Sequence, residues 1–480
     1  MKKKDYLILF FILIVAFTMR LYKIDNPLAD FHSWRQADTA AVARNFICYG
    51  FDLLHPRFDD LSSIQSGKEN PLGYRFVEFP LYNALFALLY RYLPVFTLEV
   101  YGRLTTIFFS LLIIILIYYF ALKEASRLTA VLAAIIYAVF PFFVFFSRVV
   151  LPETTATALV FLSIFFTYLA FSKSTDFKQK LFFLMSLVCF SLSLLIKPTT
   201  IFYGLVHGYL FLKNKGWGIF KKKYFYLFFI LACLPLIYWR YYIQAFPEGI
   251  PANDWLINYV NTPDGLKKIF FRPAFFRWIF FERINIIIFG GYLTGFFLLG
   301  VFQKTKKYFL HMILVAALIY LFIFQGGNVQ HEYYQTLILP PLAIFTGLGI
   351  NFIFKNSKFF LPKFFTILLT IVLFLLSWYF SYYKVRDYYQ YSVELPQIAN
   401  IVNNLTQPED KIITDRLGDT TLLYLMDRKG APAIYKELPD LKNLGYKYLV
   451  TLNQETIESI KQKKIYPVIF ENEKFALFKL

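Results

Sequence analysis

"DFHSWRQADTAAVARNF", residues 30–46, follows the apolar run 6–22 and sets two carboxylates, a histidine, two arginines and a tryptophan among stretches that otherwise read as oil. Charge beside an apolar run is expensive, so such a group marks a functional site by default. Ser33 and Gln36 have the spacing of a capping box and Gly50 can stop a helix, which predicts a helix over 34–48 lying on the outer membrane surface. Asp30 then stands just before the helix amino end, where orphan N–H groups and the helix dipole favour an anion. Its plain reading is a turn or cap residue. Asp38 falls inside the helix, three residues from Arg35, and its plain reading is an intrahelical ion pair worth about 0.2–0.5 kcal/mol.

Outward from this stretch the chain is 58% hydrophobic and 21% aromatic, with 59 Phe in 480 residues, the composition of a polytopic membrane protein. The formal charge of +19 lies wholly in 1–384, because 385–480 carry 13 basic and 13 acidic residues. The basic residues cluster in short loops: "KKK" at 2–4, "KEASR" at 123–127, "KNKGWGIFKKK" at 213–223 and "KTKK" at 304–307. That is the positive-inside pattern, and it argues against nucleic acid as the partner. Cys48, Cys189 and Cys233 form no CxxC pair, so neither a disulfide framework nor a zinc site is indicated. The amino end looks like a signal peptide but lacks a small-x-small cleavage site, which predicts an uncleaved first span with its amino end in the cytoplasm.

A span needs about 20 apolar residues. The qualifying segments are 6–22, 103–122, 128–146, 155–172, 181–196, 199–212, 224–242, 284–302, 308–325, 334–354 and 363–383, with 81–95 a short twelfth. Lys2–Lys4 and Lys123–Arg127 must share the cytoplasmic side, which makes 81–95 a re-entrant or surface helix and leaves about eleven spans. The outer face then collects 23–102, 147–154, 197–200, 243–283, 325–335 and everything after about 384. The expected division is a transmembrane domain over 1–384, with the first outer loop at 23–102, and an extracytoplasmic domain over 385–480. In that tail, helical patterns ("LPQIANIVNNL", "TTLLYLMD") alternate with strand-like runs ("KIITD", "YKYLVTL", "YPVIF", "KFALFKL"), as in a small α/β domain.

Polar pieces recur among the outer segments: Arg75 and Glu78 in "RFVEFPLY", Arg148 and Glu153 in "SRVVLPE", Lys197 in "LLIKPTT", and His331, Glu332 and Tyr333 in "QHEYYQ". With "AAVARN" at 40–45 and "HEYYQTLILPPLA" at 331–343, their order resembles the polyprenyl-phosphate-dependent glycosyltransferases of the GT-C fold, namely the dolichyl-phosphate-mannose protein mannosyltransferases and the bacterial lipid A aminoarabinose transferases. The likeness covers most of 1–384. One departure concerns the acidic pair that family members carry before the "AR" of the first-loop helix, where this chain has Arg35 and Gln36. Asp30 and Asp38 flank that gap, and which of them takes the role stays open, Asp30 being preferred.

The resemblance implies a bacterial inner-membrane enzyme with a lipid-linked sugar phosphate as donor and a lipid, polysaccharide or protein hydroxyl as acceptor. Direct displacement at an anomeric carbon needs a base near the acceptor and cations near the departing phosphate. The carboxylates Asp30 and Asp38 are the catalytic candidates. Arg35, Arg75, Glu78, Arg148, Glu153, Lys197, His331, Glu332 and Tyr333 are the candidates for holding donor phosphate and substrate. Each has a plainer role: Lys197 snorkels at a span end, Arg148 pairs with Glu153, and His331 with its tyrosines joins an interfacial belt. The residues single out no cofactor, and the metal stays unknown. A divalent cation at Glu78 with His331 or Glu332 is an option that no ligand spacing compels. A transporter or flippase of a lipid-linked sugar is the alternative, disfavoured because no internal repeat is evident and the charges sit at span ends; an O-antigen ligase or polymerase is a third reading.

Overall fold

A computed structural model of the chain describes residues 1–172, 175–250, 269–357 and 362–480. The chain opens with α1 (Lys3–Arg20), and the first polar loop carries α2 (Ser33–Tyr49) and α3 (Leu81–Tyr92). An apolar helical run follows through α4 (Leu98–Glu124), α5 (Arg127–Val139), α6 (Pro141–Phe146), α7 (Glu153–Ala170), α8 (Asp176–Ile196), α9 (Gly204–Lys215) and α10 (Lys223–Tyr242). It resumes with α11 (Pro273–Phe276), α12 (Leu293–Val301), α13 (Phe309–Ile323), α14 (Gln325–Gln330), α15 (Leu339–Lys355) and α16 (Lys363–Val385). The tail comprises α17 (Glu394–Leu405), β1 (Lys411–Thr414), α18 (Thr421–Leu425), β2 (Gly430–Ala431), α19 (Leu438–Asn443), β3 (Tyr446–Thr451), α20 (Gln454–Lys463), β4 (Val468–Glu471) and β5 (Ala476–Lys479).

Among the described residues six helices are long and apolar enough to cross a membrane: α4, α7, α8, α10, the run Glu332–Lys355 and the run Lys363–Leu405. A pair bent by 118°, Pro273–Ile288 with Leu293–Val301, makes a seventh if it is one span. Several segments that hydropathy reads as single spans are broken. The 128–146 segment divides at Phe140, whose extended backbone precedes Pro141 at the first position of α6. The 199–212 segment begins as a 3-10 turn, Pro198–Tyr203, before α9. The bend at 289–292 holds Gly290 at φ +59°, so close to the Ser377 carbonyl that no Cβ fits. The chain is an integral membrane protein; the eleven-span count exceeds what length and composition alone carry.

The described chain forms two compact units, one of residues 1–24, 103–239 and 269–387, the other of 25–102, 240–250 and 388–480. The first loop, grouped with the spans in the sequence reading, thus packs with the tail. The sheet of the second unit has the order β2-β1-β3-β5-β4, with β1 parallel to β2 and β3, and β5 antiparallel to β3 and β4. The strand period of two sends alternate residues to opposite faces. Ile412, Val450 and Leu477 meet Leu395, Ile398 and Val402 of α17 on one face, while Ile413, Leu449 and Phe478 meet Leu441 of α19 and Ile457 and Ile460 of α20 on the other. The first loop joins this sheet at its edge. Leu61 N–H donates to the Gly430 carbonyl at 2.7 Å, and Gly430 N–H to the Asp59 carbonyl at 2.8 Å, so an edge strand that would be unpaired is covered.

Candidate functional site

In the second unit the site residues hang on α2. The helix starts at Ser33 and ends at Gly50, close to the expected bounds. Its start differs: the residue before it, His32, has the left-handed φ of 57°, and no side chain caps the end. The Ser33–Gln36 box does not form, because both side chains have other partners. Gln36 Nε2 donates to Asp30 Oδ1 at 2.6 Å and to the Phe31 carbonyl at 3.0 Å, and Ser33 Oγ receives the Thr421 hydroxyl at 2.9 Å. Within its unit α2 is covered by neighbouring chain. Residues 35–43 are buried, since Ala37, Thr39, Ala40, Ala41 and Ala43 let the neighbouring chain approach closely.

Both candidate carboxylates are buried in this unit, Asp30 at 3% exposure and Asp38 at 2%. The intrahelical pair expected of Asp38 and Arg35 does not form. Arg35 pairs with Glu78, and Asp38 Oδ2 pairs with Arg75 at 3.1 Å. The geometric reason is that Asp38 turns toward the tail, where its Oδ1 accepts the Thr420 hydroxyl at 2.6 Å. Thr420 ends "TDRLGDT", the most polar loop of the tail, so that loop supplies a hydroxyl to a first-loop carboxylate. Burial pushes the Asp38 carboxyl up, while Arg75, the Thr420 hydroxyl and Arg35 pull it back. Thr39, Arg75, Glu78 and Asn83 line a small recess beside this group.

A further buried carboxylate, unsuspected from the sequence, is Asp60. Its Oδ1 accepts the Ser62 N–H at 2.8 Å and the Ser62 hydroxyl at 2.6 Å, and no cation pairs with it among the described residues. Burial pushes it up to about 7, against an ordinary value of 3.8. Between these two pH values the folded state holds a proton that the unfolded chain has released. The stabilisation is therefore whole below the lower value and is lost as pH rises through the upper one. The loss should reach about 2–4 kcal/mol by pH 8, at ~1.4 kcal/mol per pH unit of difference. Thermal midpoints of the full chain in detergent should fall between pH 5 and 8, and Asp60→Asn should flatten that slope; an unchanged slope in the variant would assign it to other groups.

In the first unit the remaining candidates fall into two groups. Lys197, at the end of α8, is buried and donates from Nζ to Glu153 Oε1 at 2.6 Å, with its ammonium 4.9 Å from the Tyr334 ring centre. Snorkelling therefore does not describe it. Glu153, expected to pair with Arg148, pairs with Lys197. Arg148 instead donates to the carbonyls of Tyr22 and Lys23, each at 3.0 Å, fixing the turn after α1. His331 stacks on Tyr333 with centroids 5.2 Å apart, and Tyr333 is buried. Glu332 meets Arg283 at 3.2 Å. Arg283, which also donates to the Asn328 and Val329 carbonyls, was missed from the sequence, as were the fully buried Arg20 and Arg103. Arg20 donates to carbonyls at the end of α5 and to Ser147 Oγ. Each lies at an apolar segment's end, where an arginine reads as an ordinary topological charge. Among the described residues no three His, Cys, Asp or Glu side chains are placed to hold a metal ion.

Residues 80–239 match a family model described as dolichyl-phosphate-mannose-protein mannosyltransferase. No curated protein matches the chain by sequence. By shape it is similar to ArnT from Cupriavidus metallidurans bound to undecaprenyl phosphate, with a TM-score of 0.67 over 99% of this chain and 97% of that one, at 12% identity. The chain has the GT-C glycosyltransferase fold. Other GT-C structures agree. The Archaeoglobus fulgidus oligosaccharyltransferase in complex with Zn and sulfate gives a TM-score of 0.61 at 12% identity, over 92% of this chain and 67% of that one. The arabinofuranosyltransferase AftD from Mycobacteria gives 0.55 at 13%, over 93% and 36%. This GT-C likeness is the one that the order of the sequence motifs implied, and it extends through the tail, which those motifs did not cover.

Proposed function

We propose that this GT-C protein is a membrane glycosyltransferase that moves a sugar from a polyprenyl-phosphate donor to an acceptor hydroxyl on the outer face of the membrane. The observation that supports it most is the likeness, over nearly the whole of both chains, to a structure holding undecaprenyl phosphate. The roles divide between the two units. In the second, Asp30 takes the acceptor proton as the acceptor oxygen attacks the anomeric carbon. The sugar–phosphate C–O bond breaks with both electrons leaving on the phosphate, and the anomeric configuration inverts. Asp30 is the preferred base, its Oδ1 held by the Gln36 amide at 2.6 Å, while Asp38 faces the Arg75 cation. In the first unit Lys197 and its surroundings meet the phosphate charge. The acceptor is a lipid, a polysaccharide or a protein.

Intact membranes given radiolabelled polyprenyl-phosphate sugars, with lipid, polymer and protein fractions counted separately, should show label leaving the donor into one fraction. Label that crosses the membrane still attached to its carrier, without transfer, would make the chain a flippase instead. The orientation has its own readout. After Cys48 is replaced, Leu417→Cys in the tail should react with an impermeant thiol reagent on intact cells and Asn214→Cys should not; both positions are exposed. The reverse pattern would overturn the outer-face assignment.

A further inference from the structure

A cavity of about 470 Å³ opens in the helical unit among the end of α7, the start of α8, the end of α9 and the start of α10. It lies far from Lys197. α7 and α8 run from it to Glu153 and to Lys197 at their opposite ends, and an 18- to 21-residue helix spans about 27–32 Å, close to the thickness of the bilayer hydrocarbon. Its walls are aromatic: the Phe183 and Phe211 rings stack at 5.6 Å, and Phe211 meets Phe228 edge-on at 5.5 Å. Its mouth is cationic. Lys180 reaches Asp176 at 2.7 Å, but both are about three-quarters exposed, so the pair is weak and screened. Lys215, also exposed, has no carboxylate partner among the described residues. Beside the mouth the chain runs Lys213–Lys223, in which Trp217 is 78% exposed. An exposed tryptophan between lysines sits at head-group depth.

Rings below and a net positive mouth above, with Lys180 and Lys215 against the single Asp176 carboxylate, match at that depth a molecule with an acyl chain and an anionic head. We propose that this cavity is a binding site for an anionic phospholipid, its phosphate taken by Lys180 and Lys215 and one acyl chain lying along Phe183, Phe211 and Phe228. The site is separate from the transfer chemistry and stands whether or not the proposed activity is right. A zwitterionic lipid would fill the apolar part equally well without using the lysines. Charge complementarity therefore selects the anionic class.

Photoreactive phosphatidylglycerol and phosphatidylcholine with the same diazirine acyl chain, incorporated with the full chain into nanodiscs, separate these cases. Peptides from 179–183 and 211–228 should be labelled more by the glycerol lipid, by about five-fold for each lysine engaged. Lys180→Gln with Lys215→Gln should abolish the preference while leaving labelling of the lipid-facing α16 unchanged, which also reports that the variant is folded. Equal labelling by the two probes, a preference that survives the double substitution, or displacement of the lipid probe by inorganic phosphate would each overturn the assignment.

Discussion

Asp30→Asn should lower sugar transfer by about 10²–10⁴-fold, the usual worth of a positioned base, while the protein stays folded. Asp30 is buried, so the substitution must be accommodated. Its Oδ1 accepts the Gln36 amide at 2.6 Å, and an asparagine oxygen in the same place keeps that bond. Keeping that bond limits what this contact can lose to about 1 kcal/mol. Asp38→Asn is a different experiment. It removes the anion that Arg75 faces at 3.1 Å, and breaking a buried pair from one side costs up to about 3–5 kcal/mol. Loss of activity there would report unfolding as much as chemistry. Combining Asp38→Asn with Arg75→Gln removes both charges and isolates the chemical role. A folded Asp30→Asn protein with a near-normal rate, beside an inactive but folded double variant, would move the base to Asp38. Two active proteins would remove the carboxylate that the proposed mechanism requires.

The second large effect is expected at Lys197, and it is first an effect on stability. Lys197→Ala leaves the Glu153 carboxylate, 1% exposed, without its 2.6 Å partner, so about 3–5 kcal/mol should be lost. Heating the detergent-solubilised variant and following its monomer peak by size exclusion should show a lower midpoint. Lys197→Met with Glu153→Gln replaces the pair by neutral groups of similar volume and should recover most of that stability. Donor turnover then distinguishes the two roles. If the ammonium also meets the donor phosphate, the stable double variant stays impaired by about 1.5–3 kcal/mol in donor use, the range of a charged hydrogen bond. Normal donor use by that variant would make Lys197 a structural cation only.

Much of the local structure could be read directly from the chain because it rests on short-range physics. The apolar runs with lysine-rich ends became helices such as α4, α8 and α16, and the alternating runs after 410 became β1, β3 and β5. The glycine expected to end α2 does so at φ 96°. The two-residue β2 escaped, since Gly430–Ala431 has too few residues to show any period; the strand exists only because β1 and the first loop bond to it from either side. Breaks at Phe140–Pro141 and Gly290–Gly291 were likewise hidden from a hydropathy reading, which sums over a window and does not register backbone direction.

The sequence by itself determined which residues are greasy, which carry charge and the order in which they come, and this was enough to imply a GT-C membrane protein with a mixed α/β tail. What only the tertiary structure decided was who partners whom. Arg35 lies three residues from Asp38, yet the pairs that form are Asp38 with Arg75, Arg35 with Glu78 and Glu153 with Lys197. A helical i,i+3 pair in water is worth about 0.2–0.5 kcal/mol, whereas a buried charge without a partner costs several kcal/mol. Burial therefore sets the pairing, and burial follows from packing the first loop against the tail, with Thr420 completing the shell of Asp38 from nearly 400 residues away in sequence.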